Sequence, residues 1–515
     1  MSRMQVNRGP SRRNIQQTRS IPAPTGGLNG RDAYAAMPAT DALVLDNMFP
    51  NPSNVALRNG YISWATGLPS AVNSLCCYSS ATGRKLFAAA GAGIYDVTAK
   101  GAVGAAVVSG LTSDQWQHVN FGTPGGQFLA MVNGSDSMQL YNGTTWQAVT
   151  SSSTPISITG VPTANLIHIN MFKGRLFCIE KNSMKAWYLP LNSIGGAANY
   201  LDFSGLVTLG GYLMAMVTWT IDNAGGTDSM AAFITSEGEV LLFRGSDPAY
   251  ASSWYLQGQF RIGRPVGRRC YVRIGSDVAV IGADGLFPMS QALLTDRSQR
   301  QDAVSDKIVN LINNDIQNYS ANFGWQAILH PIGNKLVVNV PATTGTYQYV
   351  MNTVNGSWCR FTGWAANCWE LMGDQLMFGG QTAVYQADTG LSDNGNSIYA
   401  TAIQAPQYFG TAGQKQFTMA RPIFYSNASV RPAFQINVDF DLTVPALTSA
   451  SSSTKFTPWG SAWGSPWSSP SLIRKDWQNV YGVGFAGAPA MALNVKNAIL
   501  NWQATDVTFI NGDPL

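Results

Sequence analysis

Apolar residues along this chain come in short runs, and the runs come in pairs. Between Met230 and Phe243, AAFIT meets the turn SEGE and returns as VLLF; further on, VAVI meets GADG and returns as LFPM. Two runs of strand composition joined by a short turn bearing Gly predict a β-hairpin. The same unit recurs as KLFAAAGAGIYDV from Lys85, FLAMVNGSDSMQLY from Phe128 and RLFCIEKNSMKAWYL from Arg175. It returns as KLVVNVPATTGTYQYVM from Lys335 and QLMFGGQTAVYQAD from Gln375. These seven units are spaced roughly 40 to 57 residues apart, and a four-stranded propeller blade takes about 40 to 50. The pattern predicts a mainly β protein, a β-propeller of about six to seven blades, over a β-sandwich that merely contains many hairpins.

The pattern changes at both ends. Residues 1–26 are basic and poor in strong hydrophobics, with Arg3, Arg8, Arg12, Arg13 and Arg19 and no acid before Asp32. Such a segment is expected to be an extended arm that orders only against a partner. The propeller is expected over 27–390, with an irregular leading segment at 27–75. One helix is expected within it, over 298–319, with Ala303, Ile308, Leu311, Ile312 and Ile316 on one stripe. After Gly390 longer β runs (SIYATAIQ, RPAFQINVDFDL, YGVGFAG) predict a separate C-terminal β domain over 391–515. In it, TPWGSAWGSPWSSPS carries Trp459, Trp463 and Trp467. The intervening glycines and Pro466 disfavour a helix, so the aromatics are expected on an exposed loop, either packed down as a local clamp or, on the preferred reading, in contact with a partner.

Composition changes the picture in two places. Charged residues are 12% of the chain, about half the usual quarter, which leaves either a neutral polar surface or one covered by further subunits. The net charge of +4 is too small for bulk affinity to nucleic acid. Cys76, Cys77, Cys178, Cys270, Cys359 and Cys368 include no Cys-x-x-Cys, and most lie inside apolar runs, so they are expected as buried free thiols. No run of 18 apolar residues is present, and no secretory signal is expected from the N-terminal pattern.

Candidate chemistry is sparse. His118, His168 and His330 each stand alone beside an apolar run, as hydrogen-bonded structural histidines do. Nucleophile elbow, phosphate-binding loop and zinc-protease motifs are missing. Asp222, Asp228, Glu237, Glu239, Asp247, Asp277 and Asp284 sit mostly in Gly-rich turns, where carboxylates hydrogen-bond local backbone. The turns NGTTW and NGSW lack the leading Ser-x-Asp of sialidase turns. Neither an enzyme nor a cofactor or metal site is expected. The densest basic feature, FRIGRPVGRRCYVR, offers Arg261, Arg264, Arg268, Arg269 and Arg273 either to an acidic or phosphate partner or to carbonyls between two blades.

Extended phrases of the chain add a resemblance. IPAPTGGLNGRDAYAAMPATDALVLDNMFPNPSNVALRNGY, LFAAAGAGIYDVT, WYLPLNSIGGAA, GGYLMAMVTWTIDNAGGTDSMAAFITSEGEVLLFRGSDP and IGRPVGRRC together resemble the tail nozzle (tail tube, or packaged-DNA stabilisation) proteins of short-tailed bacteriophages. The likeness covers most of residues 20–390 and returns at Ala420–Leu442 and in the Trp-bearing stretch. It implies a propeller-bearing subunit of a homohexameric ring below the portal and its adaptor, with a tail fibre or spike as neighbour. Double-stranded DNA would pass through the channel without sequence recognition, and no small-molecule substrate is implied. Assembly would take place in the bacterial cytoplasm, and the mature location would be the virion tail. The contrasting expectation is a tail-associated propeller that binds or depolymerises glycans.

Overall fold

The computed structural model describes residues 16–223, 226–294, 303–428, 430–447, 451–452 and 472–512. Arg3, Arg8, Arg12 and Arg13, and Trp459, Trp463 and Trp467, lie outside these residues. The chain forms two compact units, one from residues 59–395 and one from residues 1–58 with 396–515.

The first unit is a β-propeller, and among the described residues seven blades follow one another in sequence order. Blades one to four are antiparallel four-stranded meanders whose first strands are Val72–Ser80, Gln117–Thr123, Leu166–Phe172 and Leu213–Asn223. The fifth has three strands, Tyr271–Ile274, Asp277–Gly282 and Gly285–Pro288. Helices Met289–Leu294 and Val309–Tyr319 lie against its third strand. The sixth runs from Gln326–His330 to Trp358–Phe361. The seventh takes Cys368–Met372, Gln375–Gly379 and Ala383–Ala387, and its outer strand is Tyr61–Thr66 from the other end of the unit, paired from Ala387↔Tyr61 to Ala383↔Thr66. Contacts between neighbouring blades run all the way round, with Cys368–Met372 lying against Val72–Ser80.

Each of the seven hairpins expected from the sequence forms the second and third strands of one blade. Their apolar runs are continuous because blades stack face to face, so both faces of a strand are buried. In Phe128–Val132, Leu129 and Met131 join Cys76, Phe87 and Ile94 of the first blade. Phe128, Ala130 and Val132 join Leu166, Ile169 and Cys178 of the third. The turn of the opening hairpin depends on Gly238, at φ +84, a region costly for residues bearing a Cβ. A Cβ there would also lie 2.4 Å from the Ile262 carbonyl oxygen.

The second unit consists of two packed sheets built from both chain ends. One sheet centres on Lys415–Ser426 and Leu500–Asn511, paired in register from Lys415↔Asn511 to Ser426↔Leu500. The other carries Asp41–Asp46, Ile398–Gln404, Gly487–Lys496 and Ala433–Val438. Ile21, Phe417, Ile436, Val480, Val507 and Phe509 form a core between them.

Three expectations change. Residues 27–58 group with the C-terminal segment rather than leading into the propeller, because strand Asp41–Asp46 pairs with Ile398–Gln404. The arm does not stay unpaired to residue 26: Gln16–Pro22 is a strand on Leu500–Asn511, with Arg19 opposite Val507. Seven residues of ladder and the burial of Ile21 offset its ordering entropy. The helix within the propeller begins at Val309, after a 3-10 turn at Asp306–Ile308. Ile308, Ile312 and Ile316 are buried as the stripe predicts, and residues 295–302 lie outside the description. The six cysteines are free and buried. No helix among the described residues is long and apolar enough to cross a membrane.

Candidate functional site on the propeller axis

First strands of neighbouring blades lie against one another around most of the ring, and side chains near the start of several of them converge on one cavity. Gln117 and His118 open the second blade, Tyr271 the fifth, Gln326 the sixth, and Trp369 and Glu370 lie early in the seventh. Together with Arg269 they line a cavity of about 160 Å³.

His118 Nε2 stands 3.3 Å from Glu370 Oε2, and Glu370 Oε1 accepts the Leu371 N–H at 3.0 Å. Burial pushes the Glu370 carboxyl up to about 7, against the Leu371 N–H and the Arg269 charge. Burial also lowers His118 to about 4, and Arg269 acts in the same direction. Both groups are therefore driven toward their neutral forms, with a hydrogen bond available between them. Glu370 is the carboxylate lining this cavity, with Tyr271 and Arg269 in the same wall.

Arg269 is the hub of the site. Its Nη2 donates to Ser74 Oγ at 2.7 Å, to the Trp116 carbonyl at 2.9 Å and to the Asn73 carbonyl at 3.1 Å. Its Nη1 donates to Gln326 Oε1 at 3.4 Å. Gln326 Nε2 in turn donates to the Trp369 carbonyl at 2.8 Å, and its Oε1 accepts the Trp369 N–H at 3.0 Å. One guanidinium thus links the first, second and sixth blades, and through Gln326 the seventh. Arg268 Nη1 donates to the Asn133 carbonyl at 3.0 Å. These two arginines bond carbonyls between blades, one of the two readings of the basic run. Arg264 instead pairs with Glu237 at 2.5 Å on the surface, and Arg261 and Arg273 are exposed.

The other candidates are structural. His168 Nε2 donates to the Met216 carbonyl at 2.9 Å, and Asn170 Nδ2 reaches the same carbonyl and the Tyr271 hydroxyl. His330 lies 3.1 Å from the Asp374 carbonyl and 3.6 Å from Asp388. Glu239 accepts the Thr208 and Leu209 N–H groups, and Asn142 Oδ1 accepts those of Thr144 and Thr145, as turn residues do. His118 finds its partner in Glu370, a residue far away in sequence. That carboxylate sits in the strand run CWELM and carries no local signal. Only the convergence of inner strands places it beside His118. Among the described residues no group of three or more His, Cys, Asp or Glu could hold a metal ion.

No family model and no curated protein matches the chain. Solved structures similar to it include BBS1N from a complex with ARL6DN, at 12% identity and TM-score 0.39, covering 64% of this chain and 98% of that one. Raptor of Chaetomium thermophilum is similar at 10% identity and TM-score 0.38, covering 65% of this chain and 29% of Raptor. The chain therefore spans less than a third of Raptor's length, and likenesses this distant bear on no function.

Proposed function

We propose that this chain is a structural protein of a virion, the nozzle subunit of a short phage tail. Copies of it would form a ring, six by the resemblance, attached below the portal and adaptor, with a fibre or spike docked beside it. The ring would retain packaged double-stranded DNA and conduct it outward at infection without reading its sequence. The observation that carries an assembly role is one sheet face of the second unit. Strand Gln478–Gly484 alternates buried and exposed residues and turns Tyr481 (82% exposed) and Val483 outward, with Phe485 exposed just beyond. On the adjoining strand Tyr425 stands opposite Ile473 (68% exposed), and both are exposed. Directly opposed residues share a sheet face, so Tyr425 and Ile473 form one exposed apolar pair, and Tyr481, Val483 and Phe485 form a second exposed apolar group on the same sheet, side chains that association would cover. Arg421 stacks over Trp477 at 4.6 Å while its Nε holds Asp506 at 2.6 Å, a rigid cation–aromatic group typical of interface anchors. The low charge of the chain supports the same reading.

The reading is tested by electron microscopy of the particle, where six copies on the tail axis are expected. Tyr481→Glu should leave a folded monomer and reduce its incorporation into rings at least tenfold. Peripheral trimers that bind host glycans, or normal rings from the variant, would overturn it in favour of the glycan-binding alternative or another assembly face.

A further inference from the structure

We propose that the mouth of the propeller axis is a binding site for a small oxyanion, a carboxylate or a phosphate, held by Arg268 and Arg269. Beside the His118–Glu370 cavity lies a second one of about 280 Å³, lined by both arginines, Gln115, Gln117, Asn322 and Phe323 among others, and by no carboxylate. Among the described residues neither arginine makes an ion pair. Their hydrogen bonds go to carbonyls, one hydroxyl and one amide. Arg268 spends only Nη1 in this way, so among the described residues its Nε and Nη2 have no acceptor, and neither does Arg269 Nε. None of these three atoms is sealed from solvent.

A guanidinium partly withdrawn from water with no ion-pair partner is costly, and burial holds the Arg268 pKa below its ordinary value. An oxyanion in the cavity would supply the missing charge and accept charge-assisted hydrogen bonds in the forked geometry that arginine offers. Gln115, Gln117 and Asn322 can donate amide N–H groups to the same ligand. The void corresponds to about nine waters at ~30 Å³ each, room for a small dicarboxylate or a phosphate monoester but not for a larger cofactor. Phe323, 40% exposed and 5.3 Å from the Arg269 guanidinium, forms an apolar rim. The inference stands apart from the assembly reading, since it concerns the propeller alone.

The test is isothermal titration of the full chain at constant ionic strength, with chloride as the background anion. The three probes are malonate, inorganic phosphate, and a short peptide ending in Glu-Glu with a free carboxyl terminus. Saturable one-to-one binding of at least one probe is expected, weakened at least tenfold by Arg268→Gln. Gln117→Glu places a carboxylate in the shared wall of the two cavities, and it should abolish binding while leaving thermal stability equal or higher. That variant decides the matter if Arg268→Gln fails to fold. Tighter binding of the peptide than of malonate supports the site with a partner chain as the source of the carboxylate. Binding of the free anions alone supports it with a dissolved ligand. No saturable binding by any probe, or affinity unchanged in Gln117→Glu, overturns the proposal.

Discussion

Replacing Arg269 with Met tests whether one guanidinium ties the propeller ring together. Methionine keeps an apolar stem of similar length, so the change reports the polar head and not the packing of its chain. The two hydrogens of Nη2 are shared among three acceptors, at 2.7, 2.9 and 3.1 Å, and Nη1 makes a weaker bond at 3.4 Å. Hydrogen bonds to a charged group contribute about 1.5 to 3 kcal/mol each, so two full bonds give a gross loss of about 3 to 6 kcal/mol. Relief of the guanidinium's desolvation, several kcal/mol, offsets part of that. Ser74 Oγ keeps its bonds to the Asp114 carbonyl and the Trp116 N–H, which limits the damage on that side. A net loss of about 2 to 4 kcal/mol is expected, because the Trp116 and Asn73 carbonyls lose a donor at about 1 to 3 kcal/mol each. Urea denaturation followed by tryptophan fluorescence measures it, because Trp116 and Trp369 line the site. Arg269→Lys should recover less than half of the loss, since an ammonium is a point charge that cannot span this set of acceptors. A loss below about 1 kcal/mol in Arg269→Met would show that the ring closes without this hub and would refute the reasoning.

Three further outcomes are expected. Glu370, raised to about 7, contributes stability that is full below its ordinary value of 4.5 and lost as pH rises through 7; His118, lowered to about 4, runs the opposite way between pH 4 and 6.5. Glu370→Gln should therefore gain stability relative to the native chain as pH rises from 4.5 to 7, and a parallel pair of urea-midpoint curves would contradict this. The thiols are buried and free, and burial pushes Cys178, Cys270 and Cys368 up to about 12; native protein at pH 8 should react slowly with a thiol reagent and all six should react in urea, whereas fast reaction of the native chain would place a thiol at the surface. Gly238→Ala should lower stability by more than about 2 kcal/mol in thermal or urea melts through its positive φ and the clash with Ile262, and a neutral result would mean the turn has another conformation open to it.

The sequence by itself determined what is local. Each blade's second and third strands are joined by a short turn, so their pairing is written in neighbouring residues. The runs from Lys85, Phe128, Arg175, Met230, Val278, Lys335 and Gln375 could be read as hairpins without any long-range knowledge. Their even spacing announced a ring of repeats, because no blade can bury both faces alone. The buried stripe of Ile308, Ile312 and Ile316 was legible for the same reason, being a contact within one helix turn of the next. Tertiary structure decided everything that joins distant segments. Tyr61–Thr66 closes the seventh blade, yet nothing in its composition distinguishes it from the strands that hold residues 27–58 to the chain's other end. Gln16–Pro22 looks like a polar tail until Leu500–Asn511 offers it a ladder. The axial site is the extreme case. His118, Arg269, Gln326 and Glu370 belong to different blades, and no spacing along the chain relates them. They meet because the first strands converge on one axis, and the low dielectric at that axis, not the residue types, drives Glu370 and His118 toward their neutral forms.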